Sequence, residues 1–393
     1  MSNRLIKKSM GYSPSPLLGE MASRQDRVLS LMRQLVEIES PSHDKAAVDR
    51  CVNLVEKLSA EIGGRVRRHR QKHFGNLLEA RFGRGGRSSK PVMLLGHLDT
   101  VWDVGTLRKM PFRIAGGRAW GPGTLDMKAG VAMALTAIGY LLEAKLLNRP
   151  VVLLLVSDEE VGSPVSRSVT ERLARECEAV YVLEPAQGLA GAYKTARKGV
   201  GEYTIDVKGV AAHSGVDFGR GHSAIAELAR QVEKIQGFTE LSRGITVNVG
   251  TITGGTRSNV VAGQAHAAVD VRIAKSADAA RVERKFRRLR AIDRGCVVNV
   301  GGGLNRPPME RTKGTVALFR RAATLAETMG FRLQEASTGG GSDGNFTSAL
   351  GIPTLDGMGA VGEGAHAEHE SVLLKELAPR TALLAAMLLK PEG

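Results

Sequence analysis

Apolar and polar positions along this chain follow one rhythm up to about residue 198, a second up to about residue 306, and then the first again. Across residues 25–58 the apolar positions recur every three or four residues. Leu29, Leu31, Met32, Leu35 and Val36 share one stripe, and residues 46–58 form another. This spacing predicts two helices, broken at Glu39-Ser40-Pro41-Ser42. Strands are predicted at 65–70 and 76–80. Unbroken apolar runs at 92–95, 151–156 and 180–183 then alternate with helical stretches at 128–144 and 166–174. Short apolar runs separated by helices are the pattern of a mostly parallel sheet covered on both faces. In such sheets ligands bind beyond the carboxyl ends of the strands.

From residue 198 the period becomes two, as in Gly201-Glu202-Tyr203-Thr204-Ile205-Asp206-Val207-Lys208-Gly209 and again at 245–249 and 265–273. Helices at 224–235 and 279–291 separate these strands, and a last strand follows at 297–300. That order predicts a small α+β, ferredoxin-like insertion. The first rhythm then returns with a helix at 314–329, a Gly-rich stretch at 338–344 and a helix at 373–389. The fold class expected is therefore α/β, a mostly parallel-sheet domain with helices on both faces, interrupted by an α+β insertion. Residues 25–197 and 308–393 would be the two parts of the main domain, 198–307 the insertion, and 1–24 a flexible leader.

Composition narrows the function classes. Aromatic residues make up only 4% of the chain, which disfavours a platform for stacking nucleic-acid bases. The three cysteines, Cys51, Cys177 and Cys296, match no metal-finger spacing and imply no disulfide framework. A net charge of +15 is concentrated partly in Arg281, Arg284, Lys285, Arg287, Arg288, Arg290 and Arg294. Val282, Phe286 and Leu289 lie on one stripe there, so the segment reads as an amphipathic helix with a solvated basic face. Binding of a polyanion through that face is the alternative. No stretch reads as a secretory signal or as long enough to span a membrane, so the cytoplasm is the expected location.

Each buried run ends in polar chemistry. Residues 152–156 lead into Ser157-Asp158-Glu159-Glu160, 92–95 into Gly96-His97-Leu98-Asp99-Thr100, and 180–183 into Glu184. Carboxylates gathered at the tips of apolar strands repel and resist desolvation, and a bound dication removes both penalties. The Gly-rich run Gly121-Pro122-Gly123-Thr124-Leu125-Asp126-Met127-Lys128 adds an acid just before a helix. Taken singly, Asp126 reads as a helix cap and His97-Leu98-Asp99 as a weak pattern. Taken together in this order they point to a metal site, in which Asp126 could give one oxygen to each of two cations. Two-metal hydrolytic sites hold their ions about 3.5–4 Å apart, polarise a carbonyl and acidify a shared water. The mixture of imidazole and carboxylate suits zinc best, with cobalt or manganese as alternatives. Gly339-Gly340-Gly341-Ser342-Asp343 has the composition of a phosphate cradle but lacks its lysine.

These motifs resemble those of the M20 metallopeptidases, and within them the glutamate carboxypeptidase branch. The resemblance runs from about residue 29 to 393 and includes Glu184-Pro185, Gly209-Val210-Ala211-Ala212-His213-Ser214-Gly215, Ser258-Asn259-Val260 and Gly364-Ala365-His366. It implies that Asp126 bridges two metals, that His97 and Glu184 complete one and Glu160 and His366 the other, and that Glu159 is the general base. Asp99 would orient His97, and the Asp126-Met127 peptide would be cis. The insertion becomes a lid that also forms a homodimer, with His213 as an oxyanion donor and Asn259 and Arg306 holding the substrate's carboxylate. Arg272 is the alternative to Arg306, and Lys208, Arg220 and Arg257 are candidates for reading an acidic side chain. The substrate implied is a peptide or N-acyl conjugate that releases a C-terminal amino acid, glutamate foremost. An N-acyl-amino-acid deacylase or dipeptidase would use the same chemistry. Ala129 and Ala367 stand where the family has glycine and serine, and spacing alone leaves His369 open beside His366.

Overall fold

The computed structural model describes residues 15–83 and 89–390. Arg197–Glu310 with Gly339–Gly341 form one compact unit, and the remaining described residues form the other.

In the larger unit the apolar runs build a six-stranded sheet, in the order Arg65–His69, Leu77–Phe82, Val151–Val156, Val92–His97, Ala179–Val182, Thr354–Leu355. The last four are mutually parallel, and the first two are attached antiparallel at one edge. Successive side chains of a strand point to opposite faces, and here both faces are covered. Val92, Leu94, Val151, Leu153 and Leu155 enter one apolar cluster with the helices Lys45–Glu61, Ala129–Glu143 and Leu374–Leu388. Met93, Leu95, Val152, Leu154 and Val156 enter a second with the helix Arg167–Glu176. Burial on both sides is why these runs show no alternation of polarity. Parallel register also aligns the strand ends: His97 lies opposite Val156, and the Leu183 amide donates to the Leu95 carbonyl at 2.8 Å. The chain after His97 therefore emerges between Ser157 on one side and Leu183-Glu184 on the other.

The smaller unit is an antiparallel sheet in the order Thr246–Gly254, Gln264–Ile273, Gly199–Lys208, Val297–Arg306, with helices Ala224–Gln236 and Ala279–Arg287. In chain order this is strand, helix, two strands, helix, strand, the ferredoxin-like topology. Its core joins Tyr203, Ile205 and Val207 to Leu228 and Phe286, and the Tyr203 and Phe286 rings stack 3.9 Å apart.

Three expectations need correction. Within the leader expected over 1–24, Ser15–Ser23 is a helix whose Leu17 and Met21 are fully buried in the core. The four-residue spacing of these two was obscured by the Pro and Gly around them. Residues 1–14 lie outside the described residues. Thr124–Glu143 is long and apolar enough to cross a membrane by length and composition, contrary to the sequence reading, but 83% of that window is buried within the protein. The basic helix ends at Arg287, because the buried carboxylate of Glu227 accepts the amides of Ile292 and Asp293 and holds that stretch as a loop. Its cations are also partly neutralised: Arg281 and Lys285 pair with Glu240, and Arg287 pairs with Glu283. That pairing weakens the polyanion-binding reading.

Leu17→Ala should lower the free energy of unfolding by about 2–5 kcal/mol, as truncation of a fully buried leucine does. Chemical denaturation checks this, and an unchanged midpoint would mean that the helix does not belong to the core.

Candidate metal centre

His97, Asp126, Glu160, Glu184 and His366, far apart in the chain, come together in the larger unit. Parallel strand ends supply His97, Glu160 and Glu184, and two loops supply Asp126 and His366. Asp126 occupies the middle. One of its oxygens, Oδ1, lies 3.1 Å from His97 Nε2, while Oδ2 lies 3.3 Å from His366 Nε2. His97 Nε2 is also 3.6 Å from Glu184 Oε1, and His366 Nε2 is 3.2 Å from Glu160 Oε2. His97, Asp126 and Glu160 offer ligand atoms within 4.8 Å of one another, and so do His97, Glu159 and Glu184. The Asp126-Met127 peptide is cis. His369 makes no ion pair with these acids among the described residues, so geometry favours His366.

The electrostatics suit a cation pair. Burial works against a charged His97, yet hydrogen bonds with Asp126 and Glu184 outweigh it and hold the imidazole pKa well above its usual value. Hydrogen bonds with Asp126 and Glu160 push His366 up to about 10. Burial would raise the Asp126 carboxyl, but the two imidazoles hold it far below the usual range. For Glu160 burial wins and the pKa is raised. Its Oε1 is buried with no hydrogen-bond partner among the described residues, a costly state unless a cation takes it up. A set of carboxylates and imidazoles, with one buried carboxylate oxygen left without a partner among the described residues, fits two divalent ions.

A layer of buried carboxylates fixes the segments that carry these groups. Asp99 accepts the amides of Glu159 and Glu160 at 3.3 and 3.2 Å and the Ser42 hydroxyl at 2.7 Å. His97 Nδ1 lies 2.9 Å from the Asp99 carbonyl oxygen but 3.7 Å from its carboxylate. The backbone of Asp99 thus orients the imidazole, while its side chain orients the two glutamates. Asp158 accepts the amides of Val165 and Ser166, and Asp343 accepts the Ser163 hydroxyl at 2.5 Å. Glu370 accepts from Gly123, Leu125, Asp126 and Trp102. No sequence motif pointed to Glu370, since its partners are backbone amides some 245 residues away. Lys128 is buried beneath the same loop and donates to the Ile38 carbonyl at 2.9 Å.

His213, Asn259 and Arg306 belong to the smaller unit. There the exposed His213 bridges to Val260, and the Ser214 amide donates to the Asn259 carbonyl, so two of the three are neighbours. His213 Nδ1 accepts the Gly215 amide at 3.1 Å, which leaves Nε2 to carry the proton and donate it to a hydrogen bond. Arg306 is buried at the end of its strand and donates to Asn305 Oδ1 at 3.3 Å. Arg272 makes a bidentate pair with Asp270. Lys208, Arg220 and Arg257 are exposed. His222 and His266 are engaged by Asp293 and Asp206, each at 2.8 Å.

Comparison with known proteins agrees with this chemistry. The family model described as Peptidase family M20/M25/M40 matches residues 93–390. Carboxypeptidase G2 of Pseudomonas sp. (strain RS-16) is 26% identical over 378 residues, covering 94% of this chain and 90% of that protein. Succinyl-diaminopimelate desuccinylase of Cereibacter sphaeroides is 28% identical over 351 residues, covering 84% and 90%. The fold matches the crystal structure of the Bacillus subtilis YXEP protein, a dinuclear metal-binding peptidase, with a TM-score of 0.68 at 16% identity, over 93% of this chain and 98% of that one.

The carboxylates around His366 favour its protonated form at neutral pH, and a divalent ion entering the cluster must displace that proton. Zinc added at pH 7 to the metal-free protein should therefore acidify a weakly buffered solution. The release should shrink as the pH approaches 10, where His366 is already losing its proton. An indicator dye reads it, and a release that does not depend on pH would contradict the protonation pattern.

Proposed function

Since this chain belongs to peptidase family M20/M25/M40 and is a metallopeptidase or amidohydrolase, we propose that it uses two zinc ions to cleave an amide bond and release a C-terminal amino acid, glutamate foremost, from a peptide or N-acyl conjugate. The observation that carries this reading is the bridging position of Asp126, with each oxygen facing a different imidazole. His97 and Glu184 would hold one ion, His366 and Glu160 the other, and Asp126 both. The ions would polarise the scissile carbonyl and acidify the attacking water.

The chain's own groups supply the rest. Glu159 shares a backbone clamp with Glu160 through Asp99, and we assign it the proton transfer, from the attacking water to the leaving amine. His213, as the tautomer that donates through Nε2, is suited to a developing oxyanion. Arg306 has the planar fork that pairs with a carboxylate, and we assign it with Asn259 to the substrate's α-carboxylate. Arg272 is supported less well because Asp270 already takes its fork.

Homodimerisation through the smaller unit is supported by its edge strand Thr246–Gly254, which leaves Ile252 exposed, with Ile225 on the neighbouring helix also exposed. The three free, buried thiols are consistent with a reducing compartment, and we place the enzyme in the cytoplasm. The desuccinylase relative supports one second reading, deacylation of an N-acyl amino acid by the same centre.

Chelation should abolish amide hydrolysis and zinc should restore it. Glu159→Gln should lower kcat by about 10²–10⁴-fold while retaining two ions per chain by elemental analysis. Turnover near the parent rate would remove Glu159 from the proton transfer. Comparing N-acyl-glutamate with N-acyl-leucine, before and after Arg306→Ala, tests the substrate assignment. A parent enzyme that does not prefer glutamate would favour the second reading.

A further inference from the structure

The loop that presents Asp126 has an irregular backbone. Gly121 and Gly123 sit at positive φ, and Asp126 and Met127 have non-helical backbone angles. Asp126 must nevertheless keep its two oxygens aimed at two different imidazoles. One buried side chain takes up three of the backbone amides of this loop. Glu370 Oε1 accepts the amides of Leu125 at 2.8 Å and Asp126 at 3.0 Å, while Oε2 accepts the amide of Gly123 at 2.8 Å and the Trp102 indole at 2.9 Å. Its own carbonyl accepts the Gly121 amide at 3.3 Å. Every acceptor of the residue faces the segment leading into Asp126 or the indole beside it.

Glu370 is also tied to the other end of the cluster. It closes a short turned segment with His366, in which the Ala367 amide donates to Gly364 and the Glu370 amide donates to Ala367, at 2.8 and 2.9 Å. His366 itself sits at φ +63°, a left-handed conformation that these turns impose on a non-glycine residue. One rigid segment thus carries an imidazole at one point and, four residues on, the carboxylate that fixes the acid this imidazole faces.

We propose that Glu370 is a positioning residue for the metal centre: by holding Gly123, Leu125 and Asp126 against the segment that carries His366, it sets the spacing between the bridging carboxylate and the second imidazole. This rests on the two-metal reading above. A core residue could be buried equally well without four donors converging on it. A carboxylate is required because both oxygens must accept twice. A glutamine of the same size has one acceptor oxygen and must turn its NH2 group toward two N–H donors. Groups that orient metal ligands typically affect metal affinity about 10–100-fold, and that is the range expected here.

The test is the zinc dissociation constant of the folded protein, measured by competition with a chromophoric chelator well below the melting temperature. Glu370→Gln should weaken zinc binding about 10–100-fold, with kcat falling more than KM rises. Trp102→Phe removes one of the four donors and keeps an aromatic side chain, though a smaller one. It should give a smaller loss of zinc affinity, and it serves as the readout should Glu370→Gln fail to fold. A Glu370→Gln protein that melts at a lower temperature but binds zinc as tightly as the parent would show a purely structural role and overturn the proposal. Unchanged affinity in a Trp102→Phe protein, where that variant is the readout, would do the same. If the parent itself takes up no metal, the functional reading fails, and this proposal with it.

Discussion

Carboxylates crowded at the end of an apolar sheet repel one another, and the rest of the molecule is arranged around that repulsion. Asp126, Glu159, Glu160 and Glu184 gather where parallel strands stop, and the imidazoles of His97 and His366 face Asp126, Glu160 and Glu184. Such a cluster persists because the surrounding fold over-determines it. The flanking strands are buried on both faces, so their ends cannot slide without exposing two apolar clusters at once. The acids are held in place by burial gained elsewhere, which is how a fold stores the electrostatic strain a metal centre uses.

Backbone amides do most of the aiming. Asp99, Asp158 and Glu370 are three buried acids that serve as anchors for main-chain N–H groups. Each converts a loop that sequence alone would leave loose into a fixed mount. Charge-assisted hydrogen bonds of this kind are shorter and stronger than neutral ones, and an amide so held cannot be re-aimed without leaving a buried donor unmet.

Much of this was legible before any coordinates. The unbroken apolar runs marked strands covered on both sides, and period-two alternation marked the sheet of the insertion. The acids stood out because nothing in strand packing calls for them. What stayed hidden was of three kinds. Elements only two or three residues long, such as Arg118–Trp120 and Ser371–Leu373, carry too few positions for a period to show. Long-range grips of side chain on backbone, such as Glu370 on the Asp126 loop, leave no trace in local sequence, because an amide has no residue identity to read. The Ser15–Ser23 helix was missed for a third reason. Its two anchoring side chains are spaced by one helical turn, too few to stand out from a leader rich in Ser, Pro and Gly.

The insertion divides the cluster in time as well as in sequence. His97, Asp126, Glu160 and Glu184 all precede residue 197, whereas His366 and Glu370 follow residue 341. A ribosome must therefore finish the whole ferredoxin-like unit before the last imidazole and its neighbouring anchor exist. Until then the nascent chain carries its acids without the second imidazole, and the helix Leu374–Leu388 has not yet been made. The assembled cluster is thereby a product of the final stage of synthesis.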